Sequence, residues 1–461
     1  MFLKVFLFIF AQTVCQSLAL LRNDRNIVLF KHIYLRSLTL ETIEQKIDHF
    51  NESDHRTFRS GYYTNMHLFK PGGPIILNIG GEGAISPREV ESTAARGYEL
   101  LADTNPAYYV FEHRYYGESK PFENPTVDDL KYLSSKLALA DVAHMIRTIK
   151  GSGEFNNSKV IVVGGSYAGN LAAWMKVLYP DLVDAAYASS GPVLAKKNFF
   201  EYFEVVTETI KTYGSQDCVH EISAKFNRTQ ELLQSPEGIK EIKAEHSICP
   251  ETDMTVPENQ QLLFLLLIQK FAVDVQYGDP EIIKDLCQEP ILSLPLWYDE
   301  DDETNCRDLN YNTRIHKIYE DYSSSWLWLY QTCTEFGYFQ TTTSNNQMFG
   351  KSTIPLEFYL KTCKVIFGDE FDEQRIDQGV SNTNTMYGGL TPNVENTVFV
   401  NGDMDPWHKL GVLHELAPAA PAVYIMGSSH CHDITADPDD DGNVKEARVK
   451  IENYLKKWIG A

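Results

Sequence analysis

Positive charge is scarce in this chain of 461 residues: 41 Lys and Arg stand against 63 Asp and Glu, a formal net charge of -22. An acidic surface of that size repels a phosphate backbone, which excludes nucleic-acid binding as the main task. Long apolar runs are missing too. Past the leader, the strongest is Leu262 to Ile268, far too short to cross a bilayer. The Gly80-Gly81-Glu82-Gly83 turn lacks the Lys-Ser/Thr that a phosphate loop needs. No second Cys/His pair at zinc spacing accompanies His430-Cys431-His432-Asp433, which argues against a metal there. Internal repeats and long low-complexity tracts are absent as well. The composition is that of a globular chain, 43% hydrophobic and 12% aromatic. It is long enough for one large core with a substantial insertion, or for two domains.

Residues 1–19 read as a secretory signal. Lys4 precedes an apolar stretch from Val5 to Phe10, and small residues near Ser17 and Ala19 suit cleavage. Gln12 and Gln16 interrupt the stretch, which speaks against a membrane anchor. Of eight cysteines, Cys15 leaves with the signal and seven remain. Six of these lie between Cys218 and Cys363, the pattern of a disulfide-stapled substructure in an oxidising compartment. Cys431, flanked by two histidines, is the odd one left over. Asn51, Asn156 and Asn227 each open an Asn-x-Ser/Thr glycosylation sequon.

The densest chemical signal is Val160-Ile161-Val162-Val163-Gly164-Gly165-Ser166-Tyr167-Ala168-Gly169. A β-branched run, a glycine-flanked serine and a helix-like segment from Asn170 to Tyr179 predict a strand, a tight turn and a helix. Such a turn lifts a serine hydroxyl clear of the sheet and leaves the next N–H to bind an oxyanion. The usual spelling is Gly-x-Ser-x-Gly, and Ala168 occupies its last position. Around this turn strands and helices alternate. Strands are expected at Pro74–Ile79, Ala107–Glu112 and Asp184–Ser189, and helices at Ser92–Leu101 and Lys136–Lys150. That alternation implies a parallel sheet covered on both faces. From 196 to 380 the regularity gives way to helical patterns, including Phe199–Thr212, Glu221–Leu233 and Gln260–Val273. Alternation then resumes over 381–461. Strands are expected at Asn396–Val400 and Ala422–Met426, and helices at Leu410–Leu416 and Lys445–Trp458. An α/β core over 20–195 and 381–461, interrupted by a mostly helical cap, is the plan of many α/β-hydrolases.

A serine nucleophile needs a base and an orienting acid, which in such folds follow in the order Ser, Asp or Glu, His. The returning half offers Asp403 or Asp405 after one strand, and His430 or His432 after the next. The base would take the Ser166 proton and later protonate the leaving group. The backbone N–H groups of Tyr167 and Gly81 would form the oxyanion hole. Both choices of acid and base stay open on these grounds.

Six ordered segments carry a resemblance that closes them. They are Asp48-His49-Phe50, Ile79-Gly80-Gly81-Glu82-Gly83, and Glu112-His113-Arg114-Tyr115-Tyr116-Gly117-Glu118-Ser119. Gly164-Gly165-Ser166-Tyr167-Ala168-Gly169, Tyr330-Gln331-Thr332-Cys333-Thr334-Glu335-Phe336-Gly337 and Asn401-Gly402-Asp403-Met404-Asp405-Pro406-Trp407 complete the set. From about residue 43 to the C-terminus the chain resembles the serine peptidase family of lysosomal Pro-Xaa carboxypeptidase, type II dipeptidyl peptidase and thymus-specific serine protease. It is most similar to the thymus-specific branch. The resemblance implies Ser166, Asp405 and His430 as the triad, with Asp403 and His432 as neighbours. It implies the disulfides Cys333–Cys363, Cys218–Cys287 and Cys249–Cys306. It also implies a secreted or endolysosomal exopeptidase acting through an acyl-enzyme, with a preference for proline beside the cleaved bond. The expected partner is a peptide, without nucleic acid, membrane anchor, metal or cofactor. A homodimer stays open. The alternatives are a carboxylic-ester hydrolase and, more remotely, an inactive binding protein on the same fold. One stretch departs from the family pattern: Arg59-Ser60-Gly61-Tyr62 stands where Gln-Arg-Tyr is expected, which questions the packing there.

Overall fold

A computed structural model describes residues 39–91, 99–288, 306–437 and 439–461. The expected signal peptide and most of the expected Ser92–Leu101 helix lie outside these residues. The chain forms two compact units. One gathers 196–381 with Met404–Lys409; the other holds the segments before and after.

The second unit is built on an eight-stranded sheet in the order β1-β2-β4-β3-β5-β6-β9-β10. Its strands are β1 (Glu41–Lys46), β2 (Thr57–Asn65), β3 (Ile75–Ile79), β4 (Ala107–Phe111), β5 (Val160–Gly165), β6 (Ala185–Ser189), β9 (Thr397–Gly402) and β10 (Ala422–Ile425). From β4 to β10 the pairing is parallel, whereas β1 and β2 join antiparallel. The sheet is therefore mixed, not wholly parallel as the alternation suggested.

Strands β3, β4 and β5 are buried at every position, because helices cover both faces. On one face Ile161, Val163, Tyr187, Val398 and Val400 meet Val444, Ala447, Ile451 and Leu455 of the C-terminal helix Gly442–Ile459. On the other, Ala173 of the helix Tyr167–Leu178 packs with Ala188 and Phe399. The expected helix over Leu410–Leu416 does not form. The Asn401 amide donates to the Val412 carbonyl, and a Cβ on Gly411 would lie 2.5 Å from Asn401 Oδ1. Side-chain capture thus takes a carbonyl that a helix would use, and tertiary structure overrides the local pattern.

The first unit is largely helical. Its helices open on side-chain caps where the sequence supplies them: Ser215 Oγ accepts from Cys218 N–H, Ser235 Oγ from Gly238 N–H, and Ser323 Oγ from Trp326 N–H. Pro236 follows Ser235 at a first-turn position, where its missing N–H costs nothing. A short parallel pair, β7 (Lys196–Asn198) and β8 (Gly337–Phe339), is the sheet content described in this unit. Disulfides join Cys218 to Cys287, Cys249 to Cys306 and Cys333 to Cys363, all within it. Cys431 is buried and lies outside these three disulfides.

Candidate active site

The turn after β5 has the predicted shape. Ser166 adopts φ 59° and ψ -131°, a strained conformation for a residue with a side chain. The helix Tyr167–Leu178 begins at the next residue, and Ser166 O accepts from Gly169 N–H at 2.8 Å. Ser166 N–H donates to Ser189 O, tying the turn to the end of β6. A Cβ on Gly164 would lie 2.0 Å from Ala168 O, and one on Gly169 would lie 2.5 Å from Ser189 O. Glycine is therefore required at 164 and 169. The close approach falls at 169, so Ala168 fits without a clash.

Tyr167 starts that helix, where N–H groups lack intrahelical partners. Its hydroxyl lies 3.1 Å from His113 Nε2, and His113 Nδ1 lies 2.8 Å from Arg114 O. A carbonyl only accepts, so Nδ1 carries the hydrogen and Nε2 accepts from Tyr167. Burial pulls the His113 pKa down to about 4, which keeps the ring neutral. Gly81 follows β3, the neighbour of β5. There Gly80 N–H donates to Phe111 O at 2.7 Å, leaving no room for a side chain at 80.

The segment after β10 carries His430 and is moored to β6. Cys431 N–H donates to Ser190 Oγ at 2.9 Å. The Asp433 carboxylate accepts from Tyr187 Oη at 2.6 Å and Ser189 Oγ at 2.8 Å. Burial raises the Asp433 pKa, against the pull of those two hydroxyls. A Cβ on Gly165 would stand 3.1 Å from Cys431 Sγ. The residues next to Ser166 and His430 in sequence are thus in contact.

The two candidate neighbours have other employment. His432 Nε2 pairs with Asp440 Oδ1 at 3.0 Å, and Arg448 reaches Asp440 at 3.1 Å and Glu99 at 3.5 Å. Asp403 Oδ1 accepts from Gly427 N–H at 2.7 Å, and Asp403 N–H donates to Ile425 O, so this residue ties the ends of β9 and β10. Asp405 lies beyond β9 and is fully buried, its Oδ1 accepting from Trp407 N–H at 2.9 Å. Strands β5, β9 and β10 run parallel within one sheet, so their following loops leave its same edge.

The long signature after β4 is structural. The Glu112 carboxylate accepts from Ile85 N–H, Glu118 N–H and Ser119 Oγ at 3.1, 3.0 and 2.7 Å. Gly117, at φ 58°, leaves room for it, since a Cβ there would lie 1.9 Å from Glu112 Oε1. Gly61 of the departing stretch donates to Ser119 Oγ and receives Glu112 N–H, so it packs into the same hub. Arg114 and Asp141 form a fully buried pair with contacts of 2.6 and 2.8 Å, and His49 adds a third at 2.7 Å. Among the described residues, one group of potential metal ligands converges: Cys249, Glu251 and Cys306. Its two sulfurs are bonded to each other.

Residues 45–451 match the family model described as serine carboxypeptidase S28. The chain belongs to that family. The peptidase is 34% identical over 450 residues to a putative serine protease of Caenorhabditis elegans, covering 91% of this chain and 88% of that one. It is 33% identical over 452 residues to the thymus-specific serine protease of Mus musculus, covering 90% and 87%. Lysosomal Pro-X carboxypeptidase of Mus musculus is 29% identical over 461 residues, covering 92% and 90%. This chain is a serine-type peptidase with an α/β core built on the eight-stranded sheet, and peptides are its substrates. Its three disulfides fit a secretory or lysosomal compartment. No described helix is long and apolar enough to cross a membrane.

Sequence reasoning missed the moorings. Nothing in the spacing marks Asp433 as the acceptor of two β6 hydroxyls, or His113 as the partner of Tyr167. Both are long-range pairings, |i−j| 246 and 54.

Proposed function

We propose that Ser166 is the nucleophile, His430 the general base and Asp405 the carboxylate that orients it. The observation that carries this reading is the strained φ of Ser166 between β5 and a helix N-terminus. His430 takes the Ser166 proton as Oγ attacks the peptide carbonyl. The tetrahedral oxyanion is held by the N–H groups of Tyr167 and Gly81. The imidazolium then protonates the departing amine, leaving an acyl-enzyme. Water, deprotonated by His430, releases the acid. Asp405 keeps the imidazole in the useful tautomer and stabilises its charged form.

The peptidase acts as an exopeptidase with a preference for proline beside the cleaved bond. Likeness to lysosomal Pro-X carboxypeptidase supports that reading, and it supports an endolysosomal or secreted enzyme. Asn51, Asn156 and Asn227 carry glycans, a reading their exposed positions favour. Ser166→Ala should lower kcat by roughly a million-fold, as triad removal does. Mass spectrometry of products from end-blocked and unblocked peptide libraries tests the rest. Cleavage of internal bonds in doubly blocked peptides, or turnover of simple esters alone, would refute an exopeptidase.

A further inference from the structure

The segment Met404–Lys409 leaves β9 but clusters with the helical unit. Trp407 explains why. Its ring sits in a box of Phe199, Tyr202 and Tyr338, with centroids 5.4, 5.8 and 5.4 Å away. Tyr202 and Tyr338 both meet it edge-on, at 77° and 84°. The indole Nε1–H donates to Gln276 Oε1 at 3.1 Å. That oxygen also accepts from Tyr202 Oη, and Gln276 is itself buried at the end of the helix Pro257–Tyr277. Burial, with the Asp405 charge nearby, pushes Tyr202 well above the ordinary phenol range, so it stays a donor throughout the working pH.

The other end of Trp407 holds the acid. Its backbone N–H donates to Asp405 Oδ1 at 2.9 Å, and Asp405 O accepts from His408 N–H at 3.1 Å. The indole anchor and the carboxylate are thus two ends of one short turn. Pro406 stiffens it between them. A hydrogen-bonded box in the helical unit therefore fixes where the carboxylate stands.

We infer that Gln276 and Tyr202, through Trp407, are positioning residues for Asp405, so that the helical unit sets the orientation of that carboxylate. The inference rests on Asp405 being the catalytic acid. Gln276→Met keeps the side-chain volume and removes the acceptor shared by Trp407 and Tyr202. A small displacement of a catalytic group costs between about 10- and 100-fold in rate. The expected result is a kcat reduced by that factor with KM changed less than about twofold. A carboxylate out of place stabilises the imidazolium less, so the acid limb of the kcat/KM profile moves to lower pH. Active-site titration with an organophosphate normalises for folded enzyme. Gln276→Glu, which keeps an acceptor oxygen, should lose less. Trp407→Phe keeps a ring in the box, deletes the indole donor and should act in the same direction.

An unchanged kcat per titrated site in Gln276→Met and Trp407→Phe would overturn the proposal. So would a loss with the acid limb unmoved, which marks a purely structural role. Asp405→Asn separates the two readings: full activity there would refute the triad assignment itself, whatever Gln276 does.

Discussion

Glu99 gives the sharpest test of how burial governs this molecule. It opens a short 3-10 turn, Glu99–Thr104, with Arg448 at 3.5 Å as its ion-pair partner. Burial raises its pKa from 4.5 to about 7, and the nearby Asp440 adds to the rise. Its own backbone N–H and Arg448 pull the other way and lose. A folded-state pKa above the unfolded value means the native state binds the proton more tightly. The stability this group contributes is therefore fully present below pH 4.5 and is lost as pH rises through about 7. A shift of about 2.5 units at 1.36 kcal/mol each gives ~3 kcal/mol between the two limits. Glu99→Gln mimics the protonated form at every pH. The variant should match the wild type near pH 4.5 and exceed it by ~3 kcal/mol at pH 8. For a chain of this length that corresponds to about 3 °C in melting temperature. The assay is thermal unfolding of both proteins from pH 4.5 to 8, read as a difference curve so that other titrating groups cancel. A difference that stays flat across that range, or grows toward acid, would refute the reasoning.

Three further outcomes follow from the site and its supports. Gly164→Ala should abolish activity and cost several kcal/mol in chemical denaturation, since its Cβ would overlap the Ala168 carbonyl at 2.0 Å. Asp433→Ala leaves Tyr187 and Ser189 hydroxyls buried without their acceptor, so a loss of about 2–5 kcal/mol is expected by denaturant titration. A lower kcat should accompany it, because the His430 segment loses a mooring. Asp141→Ala strands the Arg114 guanidinium in the interior and should cost about 3–5 kcal/mol, measured the same way.

The sheet centre was legible because its strands are buried on both faces and so appear as unbroken apolar runs, as in Val160-Ile161-Val162-Val163. The edge was not. In β1, Glu-Thr-Ile-Glu-Gln-Lys exposes most of its side chains and has little apolar content to register. In β2, the buried positions at its middle are taken by Ser60 and Gly61, so no apolar alternation marks the strand in the sequence. The nucleophile turn could be read from glycines because backbone contacts under 3 Å admit nothing else at those positions. The choice between Asp403 and Asp405 could not be read from spacing, since both follow the same strand. Their difference lies in which partners the fold brings: Gly427 N–H for one and the Trp407 turn for the other.

The three disulfides lie between Cys218 and Cys363, and none is described in the sheet-bearing unit. The two halves of this peptidase therefore answer to different chemical histories. A reductant attacks the helical unit's cross-links, and no disulfide is described among the core strands for it to reach. Under reducing conditions, ageing of the enzyme would begin in the helical unit. An old molecule would keep its nucleophile turn after the scaffold around Trp407 had begun to loosen.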